Sequence, residues 1–176
     1  MYRLLIAMSA VILMAGASLA AVVNLPDESQ PTTFTATVSE QANVSVPASV
    51  TFNVINVSAD TNNSVDQSVS ATTVVLSEGK ALKVEIKADV ANFTAAPGGT
   101  VTWAASDISW DAATWANGDG SAASLSTSYT TVATSDANAA SLSTSDLTFT
   151  LADKNTVDRA GNHTLAATWN FSSFTP

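Results

Sequence analysis

The sequence predicts an all-β fold, an antiparallel sandwich of two sheets with about seven to nine strands. Apolar and polar residues alternate with a period of two along several short segments, as they do on strands with one buried and one solvated face. Clusters of Gly, Pro, Ser, Asn and Asp separate these segments, and no 3.6-residue helical period occurs beyond residue 20. Short strands joined by turns account for both observations.

The first twenty residues have the features of a secretory signal peptide. Arg3 supplies a short cationic start, residues 4–16 are almost wholly apolar, and Ala20 ends a run of small residues suited to cleavage. The apolar run is shorter than the roughly 20 residues that a membrane-spanning helix needs, and no later stretch is long enough. We therefore expect a secreted or cell-surface protein with no transmembrane segment in the mature chain. The expected organisation is a signal peptide at 1–20, an extended N-terminal arm at 21–33 and a β-sandwich domain at 34–176.

The composition disfavours several classes of function. The chain has 176 residues, which fits one domain, and 15 acidic against 6 basic residues give it a net charge of −9. A nucleic-acid partner is not expected, because that interaction needs clustered Lys and Arg. With no cysteine and one histidine, the chain has no means to build a disulfide, a thiolate site or a multi-histidine metal centre. We expect no cofactor, no metal site and no enzymatic activity.

The clearest predicted strand covers residues 82–90, where Leu82, Val84 and Ile86 alternate with charged residues. A second alternating run covers residues 147–151, and the last one covers residues 163–171. These patterns predict a core built from Phe52, Val84, Ile86, Leu147, Phe149, Leu165 and Trp169.

The segment before the last strand resembles the corner of immunoglobulin-like domains. Residues 158–163 read Asp-Arg-Ala-Gly-Asn-His. In that family an acidic, a small and an aromatic residue precede one of the last strands, and the polar tip of the aromatic bonds back to the chain. His163 stands where the family usually has Tyr. The resemblance implies an immunoglobulin-like antiparallel sandwich.

Two further resemblances concern exported bacterial proteins. The sequence from Ala160 to Leu165, running into alternating Ala167, Trp169 and Phe171, is similar to the closing strand of pilin-like and adhesin-like sandwiches. Residues 102–105 (Thr-Trp-Ala-Ala) and 168–171 (Thr-Trp-Asn-Phe) resemble, at comparable places, the two Trp-x-Leu motifs of WxL-type cell-wall-binding domains, although neither has Leu at the third position. These resemblances imply a surface protein.

A long irregular stretch contains the candidate ligand-binding residues. Flat aromatic rings beside polar side chains are typical of a sugar-binding face, and the stretch holds Trp110, Asp111, Trp115, Asn117 and Asp119. The two indoles would serve equally well to close one end of the sandwich. Residues 117–121 also resemble the start of a calcium loop, but Ser128 stands where the bidentate Glu would be, which favours a tight turn.

The N-terminal arm leads into a candidate polymerisation strand. Pro26 and Pro31 indicate an extended segment, and Phe34, Ala36 and Val38 then share one face of an alternating pattern. Residues 21–38 are either the first strand of their own sandwich or a strand donated to the open sheet edge of a neighbouring copy.

Two functions follow from these observations. The first is a non-catalytic secreted or cell-surface protein with a structural or adhesive role, as a subunit of a filament or matrix whose partner is another copy of itself. The alternative is a secreted carbohydrate-binding module that recognises a cell-surface glycan through the loop tryptophans.

Overall fold

A computed structural model describes residues 33–176 of the chain. The predicted signal peptide and nearly all of the predicted arm lie outside the described residues. The chain divides into two units, residues up to Thr37 and residues Val38–Pro176, and every described strand lies in the second unit. Among residues 33–176, no helix is long and apolar enough to cross a bilayer.

The described part is all-β, as predicted, with one short 3-10 helix at Ala105–Asp107. In chain order its strands are β1 Gln41–Ser45, β2 Thr61–Asn62, β3 Gln67–Val75, β4 Ala81–Ala88, β5 Ile108–Trp110, β6 Thr114–Trp115, β7 Gly118–Gly120, β8 Ala123–Ser124, β9 Thr130–Ser135, β10 Leu142–Leu147, β11 Phe149–Leu151 and β12 Ala167–Phe174.

These strands form three antiparallel sheets in the described residues. The first sheet has the order β1-β3-β10, the second β2-β11-β5-β8 and the third β12-β4-β9-β7-β6. The division into twelve strands and three sheets differs from the predicted two sheets of seven to nine strands. Several strands have only two or three residues, too few to leave a periodic pattern in the sequence.

The alternating pattern of β4 is confirmed. Leu82, Val84, Ile86 and Ala88 are buried, whereas the residues between them are partly exposed. β4 lies between β12 and β9 in the third sheet, so both of its edges are hydrogen-bonded. Val90, which the pattern placed on the same face, is exposed because the strand ends at Ala88.

The run from Leu147 to Leu151 keeps its alternating burial although the chain changes sheets inside it. Leu147, Phe149 and Leu151 are all buried. Leu147 ends β10 in the first sheet, and Phe149 begins β11 in the second. Buried Asn63 supports the junction, because its side-chain oxygen accepts a hydrogen bond of 2.6 Å from the Phe149 amide. The sequence therefore predicted the faces correctly, and the single alternating run is divided between two strands of different sheets.

The predicted core is only partly realised. Val84, Ile86, Leu147 and Phe149 are buried, but Phe52, Leu165 and Trp169 are only partly buried. The alternating residues 50–54 form no strand and make a single isolated bridge, from Phe52 to Asn63. The last strand begins at Ala167, so residues 163–166 precede it as irregular backbone with one bridge, from Thr164 to Thr94.

Candidate functional site

The two loop tryptophans are buried, so neither ring offers a face on which a sugar could stack. Trp110 is 2% and Trp115 6% exposed. The Trp110 indole nitrogen donates a hydrogen bond of 2.8 Å to the Ser121 carbonyl, and its ring packs edge-on against Phe149 at 5.9 Å. The Trp115 indole nitrogen is buried without a protein partner. Both residues close the core, which is the second of the two roles that the sequence left open.

The polar members of the predicted ligand site remain at the surface. Asp111, Asn117 and Asp119 are exposed. Asn117 has a positive φ of 62° at the turn between β6 and β7, and its side-chain amide donates to the Ser141 hydroxyl at 2.9 Å. Asp119 lies in β7, opposite Thr114 of β6. Within the described ranges, no group of three His, Asp or Glu side chains is placed to hold a metal ion.

The candidate polymerisation strand is not the first strand of its own sandwich over residues 34–38. All residues from 33 to 40 are exposed and none belongs to a strand, and the first described strand begins at Gln41. Phe34 is 93% and Val38 70% exposed, and Ala36 between them is exposed as well. The residues that the alternation assigns to one buried face are therefore all exposed in the described part of the chain.

A cleft of about 1470 Å³ opens into the core of the described residues. One wall is formed by residues 46–54 and the other by residues 157–169, both mostly irregular backbone. Its inner lining consists of buried core residues: Ile86, Trp103, Ile108, Leu125, Phe149 and Leu151. None of the five residues of the predicted sugar site lines this cleft.

The cleft is the place where the core is incomplete. Thirteen partly buried hydrophobic residues pack against the buried core, and eight of them line the cleft. These eight are Val50, Phe52, Val54, Val57, Phe93, Val157, Leu165 and Trp169. They include the three predicted core residues that a single copy leaves partly exposed.

A long open sheet edge adjoins the cleft. β12 has eight residues, and within residues 33–176 it pairs only with β4, as the terminal strand of the third sheet. Its first residues, Ala167 to Trp169, line the cleft. The other terminal strands have six residues or fewer, and β10, the longest of these, is bridged on its outer side to Ala116. Along β12, a row of backbone donors and acceptors remains available for pairing.

Side-chain hydrogen bonds fix the wall formed by residues 157–166. The Asp158 carboxylate accepts hydrogen bonds from the Thr100 hydroxyl at 2.7 Å and from the amides of Thr100 and Val101. These bonds, the Thr100 hydroxyl first, lower the pKa of Asp158 to about 2. Irregular backbone held in this way keeps its position without a strand ladder.

His163 anchors the same wall to the core. One ring nitrogen, Nε2, donates to the Arg159 carbonyl at 3.0 Å, and in the neutral ring Nδ1 accepts from the Thr102 hydroxyl at 2.8 Å. The ring packs edge-on against buried Trp103 at 5.3 Å. The polar tip of the ring thus bonds back to the chain.

Glu40 fixes the point from which the N-terminal segment leaves the domain. Its carboxylate accepts hydrogen bonds from the Ser173 hydroxyl near the end of β12 and from the Ser77 amide at 3.0 Å, and Lys80 lies 3.5 Å away. The bonds from Ser173 and Ser77 lower the pKa of Glu40 to about 2. Nothing in the sequence pattern marked Glu40, because its partners lie up to 133 positions away along the chain.

Comparisons with protein-family models, with curated proteins and with solved structures found no match to this chain. The interpretation of the cleft, of the open edge and of the exposed segment therefore depends on their geometry and chemistry.

Proposed function

We propose that the chain is a non-catalytic structural subunit that works outside the cytoplasm and assembles with copies of itself into a filament or matrix. The features that support export are the cationic start, the apolar run and the small residues at 18–20. The corner geometry of His163 supports the finer fold assignment, an immunoglobulin-like sandwich. A structural or adhesive role at the cell surface suits an exported, acidic β protein of this kind.

One observation carries the proposal: residues 34–38 are exposed although their pattern requires a buried face. Phe34 and Val38 would share one face of a strand, and both are exposed in the described residues. Complete burial of such side chains contributes about 1.5–3 kcal/mol each. Exposed apolar segments of this kind mark protein interaction sites, and the open edge of β12 offers backbone pairing in addition.

The carbohydrate-binding alternative stays a prediction. It uses an exposed face on Trp110 or Trp115, and both indoles are buried. We therefore favour the structural subunit over this alternative.

The test compares two double variants of the full chain that carry the same added charge on opposite faces of the segment. Phe34→Asp with Val38→Asp should abolish assembly, because two carboxylates would have to be buried. Thr35→Asp with Thr37→Asp is the matched control, and it should assemble, because these residues alternate to the other face. Sedimentation velocity and electron microscopy of the producing cells report the outcome. A wild-type protein that remains monomeric at high concentration, with no filaments on the cells, would refute the proposed function.

A further inference from the structure

We infer that the cleft is the acceptor site for residues 21–38 of a second copy, which pair with the free edge of β12 and insert Phe34, Ala36 and Val38 between the cleft walls. This inference rests on the proposed function and names its binding site. Its occupant is a segment of this same chain, most of which precedes the described residues.

The inner part of the cleft suits an apolar side-chain face, whereas both walls also contain polar residues. Phe52, Leu165 and Trp169 have the alternating pattern of core residues, yet all three are partly exposed and all three line the cleft. The cleft, of about 1470 Å³, is open to solvent on one side and reaches the buried core on the other. An inserted strand with apolar side chains on one face would complete this core.

The N-terminal segment has the length and chemistry that the site demands. Residues 32–38 contain no proline, and these seven residues nearly match the eight of β12. Pro31 cannot donate to a ladder, so pairing is expected to end there. Residues 21–30 extend a further ~33 Å at about 3.3 Å per residue, enough to follow the cleft beyond the end of β12.

The N-terminal segment leaves the domain at Glu40, and the position of this point relative to the cleft favours a second copy as the source of the inserted segment. Glu40 is held at Ser173, near the end of β12, whereas the cleft adjoins the beginning of β12 at Ala167. Six residues of strand, or about 20 Å, separate these points, so the same chain's segment would have to run parallel to β12 to reach the cleft, whereas every described strand pair is antiparallel. Residues 33–40 form no strand and are exposed in the single chain. Donation to the next copy leaves that copy's own segment free to continue, which produces an open head-to-tail filament.

The experiment uses single-cysteine variants of the full chain, which has no native cysteine. A donor variant, Thr35→Cys, is mixed with an acceptor variant, Thr168→Cys, whose side chain is exposed at the mouth of the cleft. A short bismaleimide then joins thiols that lie close together. Asn53→Cys, on the opposite wall, serves as a second acceptor, so that a folding defect in one variant does not decide the outcome. Asp119→Cys on β7, exposed and outside the cleft, is the matched control.

The expected result is a cross-linked donor–acceptor dimer with at least tenfold greater yield at residue 168 or 53 than at residue 119. Equal yields at all three positions would overturn the inference, because they indicate contact without a defined site. A chain that carries both Thr35→Cys and Thr168→Cys and cross-links internally at high dilution would assign the cleft to its own segment instead. Filaments that form without any cleft cross-link would refute the acceptor site and leave the proposed function standing. If neither filaments nor cross-links form, the proposed function itself fails.

Discussion

Two carboxylates fix the ends of the site that we assign. Glu40 anchors the start of the domain beside Ser173, and Asp158 fixes one wall of the cleft to the backbone of residues 100–101. Both residues lie at the surface, so their importance lies in the number of donors that they satisfy. Neither could be identified from the sequence, because a carboxylate that accepts several distant hydrogen bonds looks like any other acidic residue.

The lowered pKa values of Glu40 and Asp158 lead us to expect that the protein loses stability in acid. The pKa of each is lowered on folding to about 2, from 4.5 for Glu40 and 3.8 for Asp158. Since a lowered folded-state pKa stabilises the charged form, the contribution is complete above about pH 5 and is lost as the pH falls through 4 towards 2. Thermal unfolding of the full chain followed by circular dichroism should show this decline.

The double variant Glu40→Gln with Asp158→Asn is the control for the acid transition. It should be less stable than wild type at neutral pH and should lose less on acidification, so the two melting temperatures converge near pH 2. If both proteins lose the same number of degrees between about pH 5 and pH 2, other carboxyl groups carry the effect.

At the scale of strands, the alternation of apolar and polar residues predicted which side chains are buried better than it predicted where each strand begins and ends. The faces of β4 and of the run from Leu147 to Leu151 are as the sequence indicated, because a period of two fixes which side chains share a side. The sheet change at residue 148 leaves no mark on that period. The run at 50–54 alternates equally well but forms no strand, because a strand needs a partner and this one has only a bridge to Asn63.

Short elements depend on close approach of the backbone, which a single sequence does not reveal. β7 is a three-residue strand whose Gly118 faces β9 and the first sheet. An added Cβ there would collide with the Thr134 carbonyl and lie 2.8 Å from the Leu142 side chain. The backbone conformation of Gly118 is ordinary, so only space requires glycine at this position.

We therefore expect Gly118→Ala to lower the free energy of unfolding by about 1–3 kcal/mol through overpacking. Urea unfolding of purified protein measures the change. Asp119→Ala, at the adjacent exposed position of the same strand, should stay within about 0.5 kcal/mol of wild type. A Gly118→Ala variant as stable as this control would contradict the contact between β7 and β9.

At the scale of the whole molecule, the described domain buries most of its core and leaves one side open. The sequence placed Phe52, Leu165 and Trp169 in the core and assigned an apolar face to residues 34–38, and a single copy completes neither. The alternating pattern thus predicted both the core residues that line the cleft and the apolar face that we propose to bind there. What it could not predict was the cleft, because its walls are irregular segments, one of them fixed by Asp158 and His163.

The most direct test of the account is competition by the segment itself. A synthetic peptide of residues 21–38, added in excess to full-length protein during assembly, should occupy free clefts and stop growth, as followed by light scattering and electron microscopy. The same peptide with Phe34→Asp and Val38→Asp should have no effect, because its inserted face is charged. Short capped assemblies with the first peptide and normal growth with the second are the predicted result. Growth that proceeds at the same rate with either peptide would contradict the claim that this segment joins the copies.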